Sequence, residues 1–561
     1  MSTAAAHEAT PLSCAPAPIG RTRRLITDAL AISMVGGIGA YLLLGRPPLT
    51  GIDDANITQV YAANLAHGRG YVYTPGGGRV EGSTSLLWTL INAVIFLISE
   101  RPEWLVAVVC TALTAAAVMC ALSLADIFSA HAGVSREVTH HVTVLAILAS
   151  PSFFAWSVWT LMDLALWVTV LQFLVLQLAL QLTEDSPPRS RTWLITLCAV
   201  AAPLTRPEGI AVALGLLALS ACLTFLRKET ACRSYRPYVT AAAMSVAAVC
   251  FLTLGRLAYF GQPVPNTFYA KISSGLRQQL LHGIQYLLQY LAASPYVALY
   301  LLCWLALTTI ARSRRRVPDD HTWELTILAV ATIAGMLMLY VVLGGDHFDF
   351  YRFYQPLSLL LPIALGLGCA YVWEQAGPFI RERHGTRLAL CAGAVLYLLT
   401  PVATFTASAS GLREEFDFAV NGRRLGQLLR RLPVLPSVGV VAAGGFAREY
   451  PGRTYDLMGL NWVAMAHADP TKTGSVRSHA GFSFRVFWEA RPDLVAFSGD
   501  RCAEARPWQL DPFDMTVLKG LPNDAQFRQE YQAVSAGCYY GFARKELLHQ
   551  PAARAILMPI R

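Results

Sequence analysis

Two adjacent carboxylates, Asp53 and Asp54, follow the first long apolar run of the chain. Carboxylates beside a membrane span are costly unless they bind a cation, pair with basic groups or accept a proton. An aspartate here could therefore act as the general base that removes a proton from an attacking hydroxyl group. The pair could also hold a divalent cation, because carboxylate oxygens are ligands for such ions. The alternative without chemistry is a solvated helix end or N-cap.

Further polar segments stand beside later apolar runs. A sugar transfer needs cationic or amide groups that stabilise a departing phosphate, and these segments contain such groups. The candidates for contacting a phosphate or a sugar are Arg206, Glu208, Asn266, Tyr269, Lys271, His347 and Arg352. The candidates for holding the acceptor or positioning a loop are Glu81, Asp163 and Asp346. Alternatives stay open: Arg206 could simply pair with Glu208, and Lys271 could be an anchor at the membrane interface.

The segment Pro75–Gly78 contains three consecutive glycines. Glycine relaxes the limits on backbone conformation, so the segment predicts a hairpin turn. A phosphate-binding loop is the alternative interpretation.

The composition requires lipid as a solvent. Of the 561 residues, 54% are hydrophobic and only 14% are charged, which is too apolar for a series of ordinary soluble domains. The formal net charge of +9 could indicate a nucleic-acid partner. The basic residues, however, cluster in short loops between apolar runs, a pattern that sets orientation in a membrane. We therefore expect a multi-pass membrane protein in contact with lipid, and no nucleic-acid partner.

Apolar runs long enough to cross a bilayer recur as far as residue 407. The predicted spans are 25–45, 104–128, 138–156, 158–182, 192–204, 208–226, 238–258, 284–310, 324–343, 355–374 and 387–407. The loops predicted to be cytoplasmic are the arginine-rich segments 21–24, 189–191, 227–236, 312–316 and 381–387. All the candidate residues then lie on the non-cytoplasmic side.

Two places in this topology need interpretation. The arginine-rich loops all fall on the cytoplasmic side only if the short run 84–99 does not cross the membrane. This run is therefore predicted to be an interfacial or re-entrant helix. The two runs around 205–209 predict either a pair of half-length helices or one element kinked at Pro207.

Three parts are predicted along the chain: a disordered cytoplasmic tail at 1–20, an all-α membrane domain with about eleven spans at 21–410, and a small non-cytoplasmic α/β domain at 411–561. In the last part, Val438–Ala443 and Leu494–Phe497 predict strands, and Gly422–Leu432 predicts an amphipathic helix. Cys502 and Cys538 could form a disulfide there, because the non-cytoplasmic side permits oxidation.

The order of the polar segments resembles the GT-C glycosyltransferases, which are membrane-embedded enzymes that use polyprenyl-phosphate sugars. More narrowly, it resembles the group containing mycobacterial terminal arabinofuranosyltransferases and bacterial pilin arabinosyltransferases. The segments that carry the resemblance are Asp53–Thr58, Asn64–Gly70, Arg79–Trp88, Thr205–Gly209, Pro265–Lys271, Gly344–Asp346, Tyr351–Phe353 and Tyr455–Asn461. One departure is Leu-Met-Asp at 161–163 in place of the common Gly-(Leu/Met)-Glu, which keeps an acid that is one methylene shorter.

The resemblance implies an inverting transfer from a lipid-phosphate pentose or hexose, with arabinofuranose favoured. It also implies an acidic base in the first external loop and an interfacial helix after that loop. In this interpretation Asp54 is the base, and Asp53 assists it or holds a cation. Around the phosphate we expect Arg206, Lys271 and Arg352. The acceptor would be an envelope glycan, a lipid or a pilin-like protein, at the outer face of a bacterial inner membrane.

Two other classes of function stay open. A lipid or polysaccharide transporter would carry charges near the bilayer midplane and repeated helical halves. Here the charges lie mostly at span ends and no repeat is visible, which favours the enzyme. In a binding scaffold for an envelope assembly, substitutions at Asp53 and Asp54 would be silent. No cofactor is predicted beyond a divalent cation.

Overall fold

The computed structural model describes residues 19–184, 186–226, 235–271, 275–314, 321–382, 384–468, 481–500 and 512–560. Within these residues a bundle of helices is followed by a domain with a six-stranded sheet, so the predicted order of an all-α part before a small α/β part is confirmed. Nearly all of the predicted tail 1–20 lies outside the described residues, as does Cys502. Cys538 is disulfide-bonded, and its pairing with Cys502 stays a prediction.

Within the part of the chain that the structure describes, sixteen α-helices precede the first strand. They are α1 (Ile19–Leu43), α2 (Asp53–Ala66), α3 (Leu86–Phe96), α4 (Glu103–Ala132), α5 (Arg136–Leu148), α6 (Pro151–Phe154), α7 (Leu164–Thr183), α8 (Arg189–Thr205), α9 (Gly209–Leu226), α10 (Arg236–Phe260), α11 (Asn266–Lys271), α12 (Leu276–Ala293), α13 (Pro295–Arg314), α14 (Thr322–Val342), α15 (Leu357–Glu382) and α16 (His384–Leu429). A π-helical turn at Ala155–Trp159 extends α6, and a 3-10 segment at Asp349–Tyr354 precedes α15.

Within the described residues, eight helices are long and apolar enough to cross a membrane. These are α1, α4, α7, α9, α10, α13, α14 and α15, and a bent pair adds a ninth if it is counted as one span. The protein is therefore built as a multi-pass membrane protein. The predicted number of about eleven spans stays a prediction, because the eight helices do not include α8 or α16.

Two predicted spans are each broken by a proline. The run 138–156 is not one straight helix, because α5 and the segment Pro151–Trp159 meet at an angle of 66°. The run 284–310 is divided between α12 and α13, with the break at Ser294. Proline lacks the N–H that would continue the preceding helix, but it is well suited to begin the next one.

The junction at Arg206–Glu208 separates two helices of nearly full length. With 17 and 18 residues, α8 and α9 are longer than the half-length pair that was predicted. The predicted break at Pro207 is confirmed, and it places Arg206 and Glu208 at helix ends rather than inside a span.

The interfacial helix predicted at 84–99 corresponds to α3. Its 11 residues extend about 16 Å, roughly half of the hydrocarbon thickness. On one side α3 packs against α2 through Ala62, Ala93 and Phe96, and on the other side Val94 and Leu97 are exposed. An apolar helix of this length with one open face fits a position at the interface.

The sheet domain comprises the described residues between 438 and 560. Its strands are β1 (Val438–Val440), β2 (Thr454–Asp456), β3 (Leu494–Asp500), β4 (Tyr531–Ala536), β5 (Tyr539–Arg544) and β6 (Met558–Pro559), in the order β2-β1-β3-β5-β4-β6. The β1 strand is parallel to β2 and β3, whereas the remaining pairs are antiparallel. Its helices are α17 (Gly444–Glu449), α18 (Val463–His467), α19 (Phe484–Ala490), α20 (Pro512–Val517), α21 (Ala525–Glu530) and α22 (Pro551–Ile556).

A single helix joins the bundle to the sheet domain. The 46 residues of α16 run without a break across positions 410 and 411, where the boundary between the two domains was predicted. Its last turns are the predicted amphipathic helix, and there Leu425 and Leu429 are buried in the same cluster as Val438 and Phe446. The two parts therefore share one structural element and one apolar core.

Candidate active site

Asp54 faces a cavity of about 560 Å³, here called the Asp54 cavity. Six of the predicted site residues line it: Asp54, Asp163, Arg206, Glu208, Lys271 and Arg352. They come from α2, the turn before α7, the junction between α8 and α9, α11 and the 3-10 segment. The fold therefore brings together residues that are up to about 300 positions apart in the chain.

Asp54 is the carboxylate of the pair that is open to the cavity. Its side chain is 28% exposed, and its nearest cation is Arg352, with a distance of 3.8 Å from Oδ2 to a terminal guanidinium nitrogen. A carboxylate that is partly open and not held by a close ion pair can accept a proton from a bound hydroxyl group.

Asp53 lies in a different environment, buried between α2 and the sheet domain. The backbone N–H groups of Gly444 and Gly445 donate to its two carboxylate oxygens at 2.9 and 2.7 Å. Burial raises the pKa of Asp53 to about 6, against the opposing effect of these two hydrogen bonds. Asp53 does not line the Asp54 cavity, so its direct role is to connect α2 to the sheet domain.

Glycine is needed where α17 meets Asp53. A Cβ atom on Gly444 would lie 1.9 Å from the carbonyl oxygen of Asp53, and one on Gly445 would lie 2.2 Å from that of Ala419. Only two residues without side chains allow the backbone N–H groups to approach so closely. The sequence alone does not predict this contact.

Each arginine of the cavity is held by a carboxylate. Arg206 donates to both oxygens of Asp163 at 2.9 and 3.1 Å, and it lies 3.9 Å from Glu208. The predicted pairing of Arg206 with Glu208 is thus the weaker of its two ion pairs. Arg352 forms a close ion pair with Asp346. Guanidinium groups fixed in this way keep their charge and direction when a phosphate leaves.

A third buried pair was not predicted. Arg256 on α10 donates to both oxygens of Glu81 at 2.8 Å, and the arginine lines the Asp54 cavity. The signal was present in the sequence, because an arginine inside the apolar run 238–258 needs a partner or a function. Glu81 thereby fixes the loop that precedes α3, in line with a positioning role.

Lys271, the last residue of α11, is the exception among the cations of the cavity. Among the described residues, no carboxylate lies within ion-pair distance of its ammonium group, whereas Arg206, Arg256 and Arg352 all have one. Lys271 is therefore available to neutralise an anion that enters the cavity.

Asn266 and Tyr269 connect α11 to the sheet domain. The Asn266 amide donates to the carbonyl groups of Gly459 and Leu460 at 2.8 and 2.9 Å. The Tyr269 ring packs against His467, with 4.1 Å between the ring centroids. Neither side chain lines the Asp54 cavity, so both act on the position of Lys271 rather than on a ligand.

Asp346 and His347 line a second cavity of about 240 Å³, here called the tyrosine cavity. Its aromatic and polar walls include Tyr286, Tyr290, Tyr296, Tyr300, Tyr351, Ser152, Gln289 and Asp349. Burial opposes the charge on Asp346, yet Arg352 and His347 lower the pKa of Asp346 well below its usual range. The Asp346–Arg352 ion pair thus stands between the two cavities.

Glu415 on α16 is a further carboxylate that was not predicted. Burial, together with the nearby charges of Asp54 and Asp53, raises the pKa of Glu415 well above its usual range. Within the described residues, however, no group of three or more His, Cys, Asp or Glu side chains is arranged to hold a metal ion. Because both oxygens of Asp53 accept backbone hydrogen bonds, a cation held by Asp53 and Asp54 together has no support from this arrangement.

No protein-family model and no curated protein matches this chain. Over most of its length the chain is similar to ArnT from Cupriavidus metallidurans in the apo state, with 14% identity, coverage of 93% of this chain and 97% of that chain, and a TM-score of 0.49. A second similar structure is the archaeal oligosaccharyltransferase AglB from Archaeoglobus fulgidus in complex with an inhibitory peptide and a dolichol-phosphate. It has 10% identity, coverage of 92% of this chain and 74% of that chain, and a TM-score of 0.48. The oligosaccharyltransferase of Archaeoglobus fulgidus in complex with Zn and sulfate has 10% identity, coverage of 91% of this chain and 73% of that chain, and a TM-score of 0.47. Similarity at this level does not establish a family for the chain.

Proposed function

We propose that this chain is a membrane glycosyltransferase that takes its sugar from a polyprenyl-phosphate donor. The observation that carries the proposal is the content of the Asp54 cavity, where a partly open carboxylate, fixed guanidinium groups and Lys271, which has no ion pair with a described residue, share one space. A lipid-linked phosphate needs a cationic site, and an attacking hydroxyl group needs a base. The cavity supplies both.

The wall of the cavity formed by α10 suits the lipid part of such a donor. Val249 and Leu252 face the cavity, while Phe251 and Leu254, on the same helix, are 80% and 64% exposed. Apolar side chains on the outside of a candidate span contact lipid. We infer that the polyprenyl chain lies along α10 and that its phosphate is bound by Lys271 and the neighbouring arginines.

In a single-displacement reaction each of these residues then has a separate role. The acceptor oxygen forms a bond to the anomeric carbon while Asp54 takes the hydroxyl proton. The bond between the anomeric carbon and the phosphate oxygen breaks on the opposite face of the sugar, which inverts the anomeric configuration. Lys271, Arg206 and Arg352 stabilise the negative charge that develops on the departing polyprenyl phosphate.

The identity of the sugar and the acceptor rests on the resemblance of the sequence alone. Asp53–Thr58 and the other segments named above favour arabinofuranose as the sugar. The acceptor is an envelope glycan, a lipid or a pilin-like protein, reached from the non-cytoplasmic side of a bacterial inner membrane. The disulfide at Cys538 supports this side, because structural disulfides persist in oxidising compartments.

Asp54→Asn tests the proposed base. In vesicles supplied with polyprenyl-phosphate sugars, transfer should fall by about 10²–10⁴-fold, while binding of polyprenyl phosphate should be retained. The matched control is Asp126→Asn, because Asp126 pairs with Arg21 and does not line the Asp54 cavity. Full transfer by a well-expressed Asp54→Asn protein would show that Asp54 is not the base. Lipid flux without a glycosyl product would favour a transporter.

A further inference from the structure

A cleft of about 410 Å³ lies between the sheet domain and the glycine hairpin at residues 73–80. The hairpin is closed by a bridge between Val72 and Arg79 and by a turn in which Gly77 N–H donates to the Thr74 carbonyl at 2.9 Å, so the predicted turn is confirmed. The Tyr73 hydroxyl donates to the Ala443 carbonyl at 2.6 Å and thereby attaches the hairpin to the sheet domain. The two walls of the cleft are thus fixed to each other.

The wall contributed by the sheet domain is aromatic. The rings of Tyr455 and Trp462 pack at 4.7 Å between centroids, and both side chains are half-buried. Within the described part of the chain, neither the Tyr455 hydroxyl nor the Trp462 indole N–H has a hydrogen-bond partner. Rings with free polar atoms at their edges can pack against a sugar and donate to its oxygens.

The wall contributed by the hairpin is open. A Cβ atom on Gly76 or Gly78 would meet nothing within 4 Å. At these two positions the hairpin presents backbone rather than side chains, which leaves room for a chain-like ligand.

Two exposed arginines make the cleft positive. Arg453 lies over the Tyr455 ring at 5.0 Å, and Arg79 lies over the Tyr259 ring at 4.4 Å. Neither forms an ion pair with a carboxylate in the described residues, and the lining of the cleft includes no Asp or Glu. This differs from the Asp54 cavity, where each arginine forms an ion pair with an acid.

The cleft and the Asp54 cavity share a thin wall. Val80 and Asn461 line the cleft, while their near neighbours Gly82 and Leu460 line the Asp54 cavity. The wall is tightly packed, since a Cβ atom on Gly82 would lie 1.9 Å from Oδ1 of Asn461. A ligand in the cleft therefore lies beside the proposed active site but outside it.

We propose that this cleft binds an anionic saccharide, namely a carboxylate- or phosphate-bearing segment of the acceptor glycan at some distance from its reacting hydroxyl group. The identification of the ligand as part of the acceptor rests on the proposed transferase function. The binding of an anionic saccharide by the cleft does not rest on it. Arg453 and Arg79 bind the acidic groups, and the Tyr455 and Trp462 rings pack against the sugar faces.

The test uses the full-length protein in nanodiscs without donor and measures binding by titration calorimetry. The probes are hexagalacturonate, which is anionic, and maltohexaose, a neutral oligosaccharide of the same length. We expect hexagalacturonate to bind more tightly than maltohexaose. Replacing both Arg453 and Arg79 with alanine should weaken hexagalacturonate binding roughly tenfold or more.

Three further variants make the result specific. Gly78→Leu should weaken binding by filling the cleft, since a side chain there meets no other atom. Arg485→Ala, which removes an exposed arginine that pairs with Glu489, should bind as the wild type does. Asp54→Asn should also bind normally, so that loss of transfer and loss of saccharide binding are separable. Equal binding of the two oligosaccharides, binding of neither, or unchanged binding by the double arginine variant would overturn the proposal.

Discussion

Asp53 and Asp54 are neighbours in the chain but act in different environments. Asp54 faces the cavity, whereas Asp53 is buried against Gly444 and Gly445. The sequence predicts both as a chemical pair, because two acids after a span are unusual. The sequence does not show which one is free, because the groups that fix Asp53 are backbone N–H groups nearly 400 positions away. The position of Arg256 inside an apolar run is a signal in the sequence, but its pairing with Glu81 is not, because Glu81 lies in another segment.

The buried state of Asp53 gives a prediction for the pH dependence of stability. Its pKa is about 6 in the folded protein and 3.8 in the ordinary state, so the folded protein binds this proton more tightly. The contribution of Asp53 to stability therefore falls as the pH rises through this window. The asparagine in Asp53→Asn cannot ionise, so the variant does not lose this stability as the pH rises.

The measurement is the melting temperature in nanodiscs at about pH 4 and about pH 7. The melting temperature of Asp53→Asn minus that of the wild type should be larger at the higher pH. A constant offset caused by the substitution does not affect this comparison. A difference that stays constant, or that moves the other way, would mean that Asp53 is not buried as an acid.

Among the helices, the length of an apolar run predicts that a helix is present but does not predict where it is broken. The runs 138–156 and 284–310 keep their apolar character across Pro151 and Pro295, so composition alone does not show that each is divided. The junction at Pro207 was predictable because it is also polar. Likewise the end of α16 reads as a separate amphipathic helix, because its apolar face is buried against the sheet domain rather than in lipid.

The contact between α17 and α2 can be tested through Gly444. Gly444→Ala places a Cβ atom 1.9 Å from the Asp53 carbonyl oxygen, so α17 must move away from α2. We expect a destabilisation of about 1–3 kcal/mol and a loss of transfer that affects kcat more than the KM for the donor. The control is Gly335→Ala on α14, where the added Cβ atom meets nothing within 4 Å. Wild-type stability of Gly444→Ala would contradict the close approach.

In the complete fold, the bundle, the end of α16 and the sheet domain meet around α2 through polar contacts that are buried or partly buried. Arg423 on α16 donates to Asn56, Glu103 and Gln59 at 2.8, 2.6 and 3.0 Å. The Tyr61 hydroxyl donates to Asn461 at 3.0 Å. The sequence predicts the two parts and their order, but not this interface, because such polar contacts leave no periodic pattern. The helix that carries Asp54 is therefore positioned by both parts of the chain.

Removing the Arg423 guanidinium tests this interface. Arg423→Met leaves Glu103 buried without the cation that pairs with it most closely, which should lower the free energy of unfolding by about 3 kcal/mol or more. Arg424→Met is the matched control, because Arg424 is the next residue and is exposed. Equal melting temperatures for the two variants would show that the interface does not depend on Arg423.

In the proposed function, the Asp54 cavity opens on the non-cytoplasmic side and binds a lipid-linked phosphate. Thr84 lines this cavity without a side-chain hydrogen bond in the described residues, so Thr84→Cys adds a thiol with little disturbance. Labelling at position 84 by a membrane-impermeant maleimide can be followed by mass spectrometry in oriented vesicles. We expect reaction from the non-cytoplasmic side and protection by polyprenyl phosphate but not by the uncharged polyprenol. Reaction from the cytoplasmic side alone, or equal protection by the two lipids, would contradict it.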